Sequence, residues 1–256
     1  MAGLISSERD KSVALRDSPK LNAAVIEPLP QHRPDGGVVF LCLAFDTRRC
    51  NMRTFPLSRA PLAVEAVVSP TRRVTLYGPG ASLLGQRYAA ETACTGKQVI
   101  FICGDNRFNP YAIARMARQL HHSREAALSR ILVARAFTGY QFDELIRRLK
   151  PKEVTGPVIL SGICSAFLDE DIPINDAARL FYRTLWRLCE LADQGMAFLL
   201  TESQEIAGTR RAYFLTDLYR ASNFVFHLDA ENSFQLEMRS PRPLAYLASM
   251  ARPLLT

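Results

Sequence analysis

The chain has 256 residues, 48% of them hydrophobic, with 32 lysines and arginines against 25 aspartates and glutamates and a net charge of +7. That content can bury a sizeable core and fits one large α/β domain with an appendage better than two domains, while the basic balance favours a polyanionic partner such as nucleic acid. No run reaches about 18 apolar residues, which excludes a membrane-spanning helix, and six cysteines without a C-x-x-C pair argue against a zinc site or a disulfide framework.

Residues 1–35 mix charge, serine and proline (Pro19, Pro28, Pro30, Pro34) and are expected to form a flexible arm before a core of residues 36–256. The first ten residues hold no apolar signal core, so a cytoplasmic chain, nucleoid-associated or nuclear included, is expected. Residues 38–45 have the apolar pattern of a strand, followed by the basic turn Arg48, Arg49 and Arg53; residues 60–68 suggest a short helix closed by Pro70. Next, Val74 to Tyr77 form a strand pattern leading into Gly78-Pro79-Gly80-Ala81-Ser82-Leu83-Leu84-Gly85-Gln86, with a helix expected over residues 88–94. Strand, glycine-bearing turn and helix are the setting of a phosphate-binding loop, since amides at a helix N-terminus face the anion.

The stretch over residues 99–137 is the most informative. Val99 to Cys103 form a buried-strand pattern, the polar Gly104-Asp105-Asn106-Arg107 lies at its carboxyl end, and Ile113, Met116, Ala117 and Leu120 recur at helical spacing. Ser123 can cap a second helix with Glu125 in its first turn, and Ile131-Leu132-Val133 returns to strand. His121 and His122 suit a polar helix boundary better than a metal site. Residues 142–149 form an amphipathic helix ending in Arg147, Arg148 and Lys150, and residues 157–167 give a buried strand and its exit, with Asp169, Glu170 and Asp171 solvating the loop beyond.

Residues 176–193 carry the strongest helical pattern, with Leu180, Phe181, Leu185, Leu188 and Leu191 on the apolar side. On another side Arg179, Arg183 and Arg187 make a basic ridge, able to track phosphates or simply to stay solvated. Trp186 suits the core better than base stacking. A further buried strand covers residues 196–200 and ends in Thr201-Glu202-Ser203-Gln204; Arg210 and Arg211 follow. Residues 223–228 and 234–238 form a terminal β-hairpin pattern, and the tail over 241–256 holds a short apolar helix. Alternating strands and helices imply a mostly parallel sheet covered on both faces.

The run Asp105, Phe108, Pro110 followed by Ile131-Leu132-Val133-Ala134-Arg135-Ala136-Phe137 resembles the RecA/RadA-type strand-exchange recombinases, in their archaeal and eukaryotic branch. The resemblance covers roughly residues 60–240. It implies a RecA-like P-loop NTPase core: a mostly parallel central sheet with helices on both faces and a C-terminal β-hairpin. It also implies a degenerate nucleotide loop at Gly78, Gly80, Ser82, Leu84, Gly85 and Gln86, where Leu84 and Gly85 occupy the positions of the phosphate-binding lysine and the magnesium-binding hydroxyl. Ser161 or Gly162 holds the place of the metal-holding aspartate, Gln204 falls one place beyond the phosphate-sensing glutamine, and Asp105 stands as a vestigial catalytic base.

The first DNA-binding loop of the family would lead into the helix carrying Arg179, Arg183 and Arg187, and the second would hold Arg210 and Arg211. The resemblance therefore implies a recombination and repair paralogue with lapsed ATPase activity. It would use no resident cofactor, hold ATP and magnesium weakly if at all, and bind DNA or another recombinase-like subunit in a homo- or hetero-oligomer, away from membranes. The alternatives are an active DNA-dependent ATPase with an atypical loop and a structural adaptor in a multimer. Replacing Arg179 and Arg183 with alanine is expected to weaken DNA binding at unchanged stability.

Overall fold

The computed structural model describes residues 53–56, 64, 67–70, 72–203, 206, 209–229 and 233–238, all within the compact unit Asp46–Thr256. The arm, the strand expected over residues 38–45, Gln204 and the C-terminal helix lie outside the described residues.

An eight-stranded sheet runs through the unit. In chain order its elements are β1 (Arg53–Pro56), β2 (Arg73–Tyr77), α1 (Ala81–Cys94), β3 (Val99–Cys103), α2 (Pro110–Gln119), α3 (Arg124–Ser129) and β4 (Ile131–Arg135). There follow α4 (Gly139–Arg148), β5 (Val158–Ser161), α5 (Ile174–Asp193), β6 (Phe198–Glu202), α6 (Tyr213–Ala221), β7 (Phe224–Leu228) and β8 (Ser233–Met238). Across the sheet the order is β1-β8-β7-β2-β6-β5-β3-β4. The six strands β2 to β7 are parallel; β7 and β8 make the expected antiparallel hairpin, and β1 pairs antiparallel with β8.

Strand side chains alternate between two layers, as a period of two requires. Ile102, Val158, Leu160, Phe198 and Leu200 share one core cluster with α4, α5 and α6, around the rings of Phe142, Phe167, Phe181 and Phe214. Gly85 of α1 instead faces Ile159 and Thr201, so α1 and its neighbours α2 and α3 cover the other face. The chain thus leaves β2 on the α1 side, whereas adjacent β6 continues into α6 on the opposite side. Between the carboxyl ends of these two strands lies the topological switch point, where open α/β sheets form a crevice.

Helix boundaries follow local chemistry. Asn109 caps α2 by accepting the amides of Tyr111 and Ala112, with Pro110 in the first turn. Ser123 caps α3 as expected, and Thr138 caps α4 by accepting the Gln141 amide. Two elements carry no sequence signal used above: α6, and β1, whose Pro56 is tolerated in a short strand joined at one edge of the sheet. No helix among the described residues is long and apolar enough to cross a membrane.

Candidate functional site: the crevice at the carboxyl ends of the central strands

The glycine turn is shorter than the sequence suggests. Gly80 adopts a left-handed φ of 82° and acts as N-cap, so α1 already begins at Ala81 and the Leu84 amide bonds the Gly80 carbonyl at 2.9 Å. Ser82, Leu84, Gly85 and Gln86 are therefore helical and buried rather than parts of a loop, and Gly78 is wedged where a Cβ would lie 2.2 Å from the Leu228 carbonyl oxygen.

The crevice is lined by groups bonded to one another. Ser203, just beyond β6, accepts the Ser82 amide on its Oγ at 2.8 Å, filling a first-turn donor that an anion would otherwise use. Ser161, last residue of β5, donates its Oγ proton to Asp105 Oδ2 at 2.8 Å, and the Ser82 hydroxyl lies 3.1 Å from Ser161 Oγ. With Ser161 donating to the carboxylate, Ser82 donates to Ser161, giving a relay Ser82 to Ser161 to Asp105. The other oxygen of Asp105 accepts the Arg107 amide at 3.1 Å and the Cys103 thiol at 3.2 Å. Burial pushes that thiol pKa up, with the nearby Asp105 charge adding to the shift. Gln86 reaches across to the Arg107 carbonyl at 3.1 Å and accepts the Asn109 amide at 2.8 Å, tying α1 to the approach of α2.

Gly162 sits at φ 68° with a virtual Cβ 2.4 Å from Asp105 Cβ, so no side chain fits there while Asp105 keeps its place. On the other face of β6, buried Glu202 accepts the amides of Cys164 and Ser165 at 2.9 and 3.0 Å and the Ser165 hydroxyl at 2.7 Å. It anchors the turn after β5. Sequence reasoning passed over it, although an acid at a strand end was visible. Thr201 Oγ1 is buried with no partner among the described residues. Lys97, the nearest lysine in sequence to the turn, stands at the amino ends of the strands, lining a cavity of about 730 Å³ with Arg87, Glu91 and Met196. Among the described residues no group of three or more His, Cys, Asp or Glu side chains could hold a metal ion.

The arginines of the expected DNA surface are largely engaged. Arg183 grips Asp143 of α4 with Nε and Nη2, Arg187 bonds Glu190 and the Leu149 carbonyl, and Arg179 pairs with Asp176. Asp143 is 1% exposed, so the expectation that Arg183 can be removed without affecting stability needs correcting: the residue joins α4 to α5. Arg211 is buried and donates to the carbonyls of Phe167, Asp169 and Ile172. Its neighbour Arg210 is exposed. Trp186 is half-buried against the core and donates to Glu190 at 2.8 Å.

No protein-family model matches the sequence, and no curated protein matches it.

Proposed function

We propose that the chain is a non-hydrolysing relative of the RecA/RadA-type recombinases, a basic α/β scaffold that binds DNA or a partner recombinase in recombination and repair. Its support is the strand, glycine turn and helix at the switch point, the run from Asp105 to Phe137, and the net charge of +7.

One observation carries the non-hydrolysing half. The positions that would need a cation, a hydroxyl and a carboxylate hold Leu84, Gly85 and Ser161 or Gly162, and Ser82 is bonded to Ser203 and Ser161 while Ser161 is bonded to Asp105. Phosphoryl transfer is catalysed almost entirely by positioning and charge stabilisation, so a base such as Asp105 without a cradled phosphate has nothing to act on. ATP binding, magnesium-dependent turnover and DNA binding measured on one preparation test the reading. DNA binding without turnover is expected; turnover would favour an active ATPase, and neither activity would leave a structural adaptor.

A further inference from the structure

Between Asp105 and Glu125 the sequence has no acidic residue, but it has Arg107, Arg115, Arg118, Arg124, His121 and His122. Most of this stretch is α2 and the turn beyond it. Ala112, Ile113 and Ala117 pack inward, so the 3.6-residue repeat brings Tyr111, Arg115 and Arg118 to the outer side. All three are exposed, as is Arg107 three residues before the helix, and Tyr111 reaches 83% exposure.

These arginines differ from most others in the fold. Arg87 is paired with Glu91, Arg124 with Glu125, Arg135 with Asn106 and Arg183 with Asp143. The guanidinium groups of Arg107, Arg115 and Arg118 have no hydrogen bond or ion pair among the described residues. The bordering acids are occupied: Asp105 by Ser161, Cys103 and the Arg107 amide, Glu125 by Arg124, which holds its carboxyl down at about 2.

We propose that this outer stripe of α2 is a binding site for single-stranded nucleic acid, with Arg115 and Arg118 on phosphates and Tyr111 stacked on a base. At about 1.5 Å per residue the helix carries Tyr111 about 10 Å from Arg118, so the ring and both guanidinium groups can meet one short segment of strand. A duplex keeps its base faces stacked on one another, whereas a single strand presents them, and any base can stack on an exposed ring. The inference rests on the nucleic-acid half of the reading above and names a surface that reading did not include.

The test is fluorescence anisotropy of a labelled oligo-dT with the full chain across a salt series. The Arg115→Ala, Arg118→Ala double variant is expected to bind at least about tenfold more weakly, with the log–log salt slope flattened by about 1.4, two contacts at about 0.7 each. Tyr111→Ala is expected to lose about tenfold at unchanged slope and Tyr111→Phe to behave as wild type. Unchanged binding by the double variant would overturn the inference and leave the DNA reading standing, while a wild type that binds neither oligo-dT nor a duplex would overturn both. Preference for a duplex with Tyr111→Ala silent, or loss only of phosphatidylglycerol vesicle binding in the double variant, would also overturn it.

Discussion

Arg183 on α5 and Asp143 on α4 form a two-pronged ion pair, Nε reaching Oδ1 at 3.0 Å while Nη2 holds Oδ2. Asp143 is 1% exposed, also accepts the Thr184 hydroxyl at 3.2 Å and lies 3.5 Å from Arg147 Nε, so these partners offset the cost of its burial.

Arg183→Ala is therefore expected to destabilise the fold by about 1–3 kcal/mol, below the full cost of breaking a buried pair because Arg183 itself is half-exposed and screened. Replacing both partners by leucine should recover most of the loss. Urea unfolding of the single and double variants checks this, and a single variant within about 0.5 kcal/mol of wild type would contradict it.

A Cβ at Gly85 would lie 2.7 Å from Thr201 Cγ2, so the double change Leu84→Lys with Gly85→Thr collides with β6. The double variant is expected to lose about 1–3 kcal/mol from overpacking alone and to show no magnesium-dependent ATP turnover. Thr201→Val exchanges an unpartnered buried hydroxyl for a methyl group and should be neutral or stabilising by denaturant midpoint.

Arg211 donates to three carbonyls, those of Phe167, Asp169 and Ile172, where no side-chain acid would serve. Arg211→Ala strands the Phe167 and Ile172 carbonyls, while that of Asp169 keeps the Ile172 amide at 3.2 Å, and should cost about 2–4 kcal/mol, whereas Arg210→Ala at the neighbouring exposed position should leave the melting temperature unchanged. A melting curve of each variant separates the two, and equal curves would contradict the assignment.

Burial pushes the Cys189 thiol up to about 11 and raises Cys164 and Cys103 in the same direction. The folded chain then binds protons that the unfolded chain releases, so stability is full below about pH 9 and falls as pH rises towards about 11. Cys189→Ala should shallow that fall. Unfolding free energies at several alkaline pH values provide the measurement, and parallel curves for variant and wild type would contradict the expectation.

The strands over residues 99–103 and 158–161 could be read in sequence because buried parallel strands are continuous apolar runs, the one expected over 196–200 falls two residues later at 198–202, and the edge strand 131–135 was legible from its apolar residues although Leu132 and Val133 are exposed. The helix around Phe181 and the closing hairpin were equally visible, since their apolar residues recur at a fixed period. Much less of the site was legible. That Ser203 fills the α1 amide, that Gly162 has no room beside Asp105, and that Arg183 faces a buried acid depend on pairs 121, 57 and 40 residues apart, which no local pattern encodes. The edge strand β1 escaped notice for the same reason: its four residues are ordered by β8 and carry no period of their own.

By itself, then, the sequence determined where strands and helices alternate, because hydrophobic period is a local property. Only the tertiary structure decided which arginines are spent on the fold and which stay free. A guanidinium beside a buried carboxylate or an orphan carbonyl is bound, while one on the outer face of α2 has no partner among the described residues, and that distinction exists only once helices have docked.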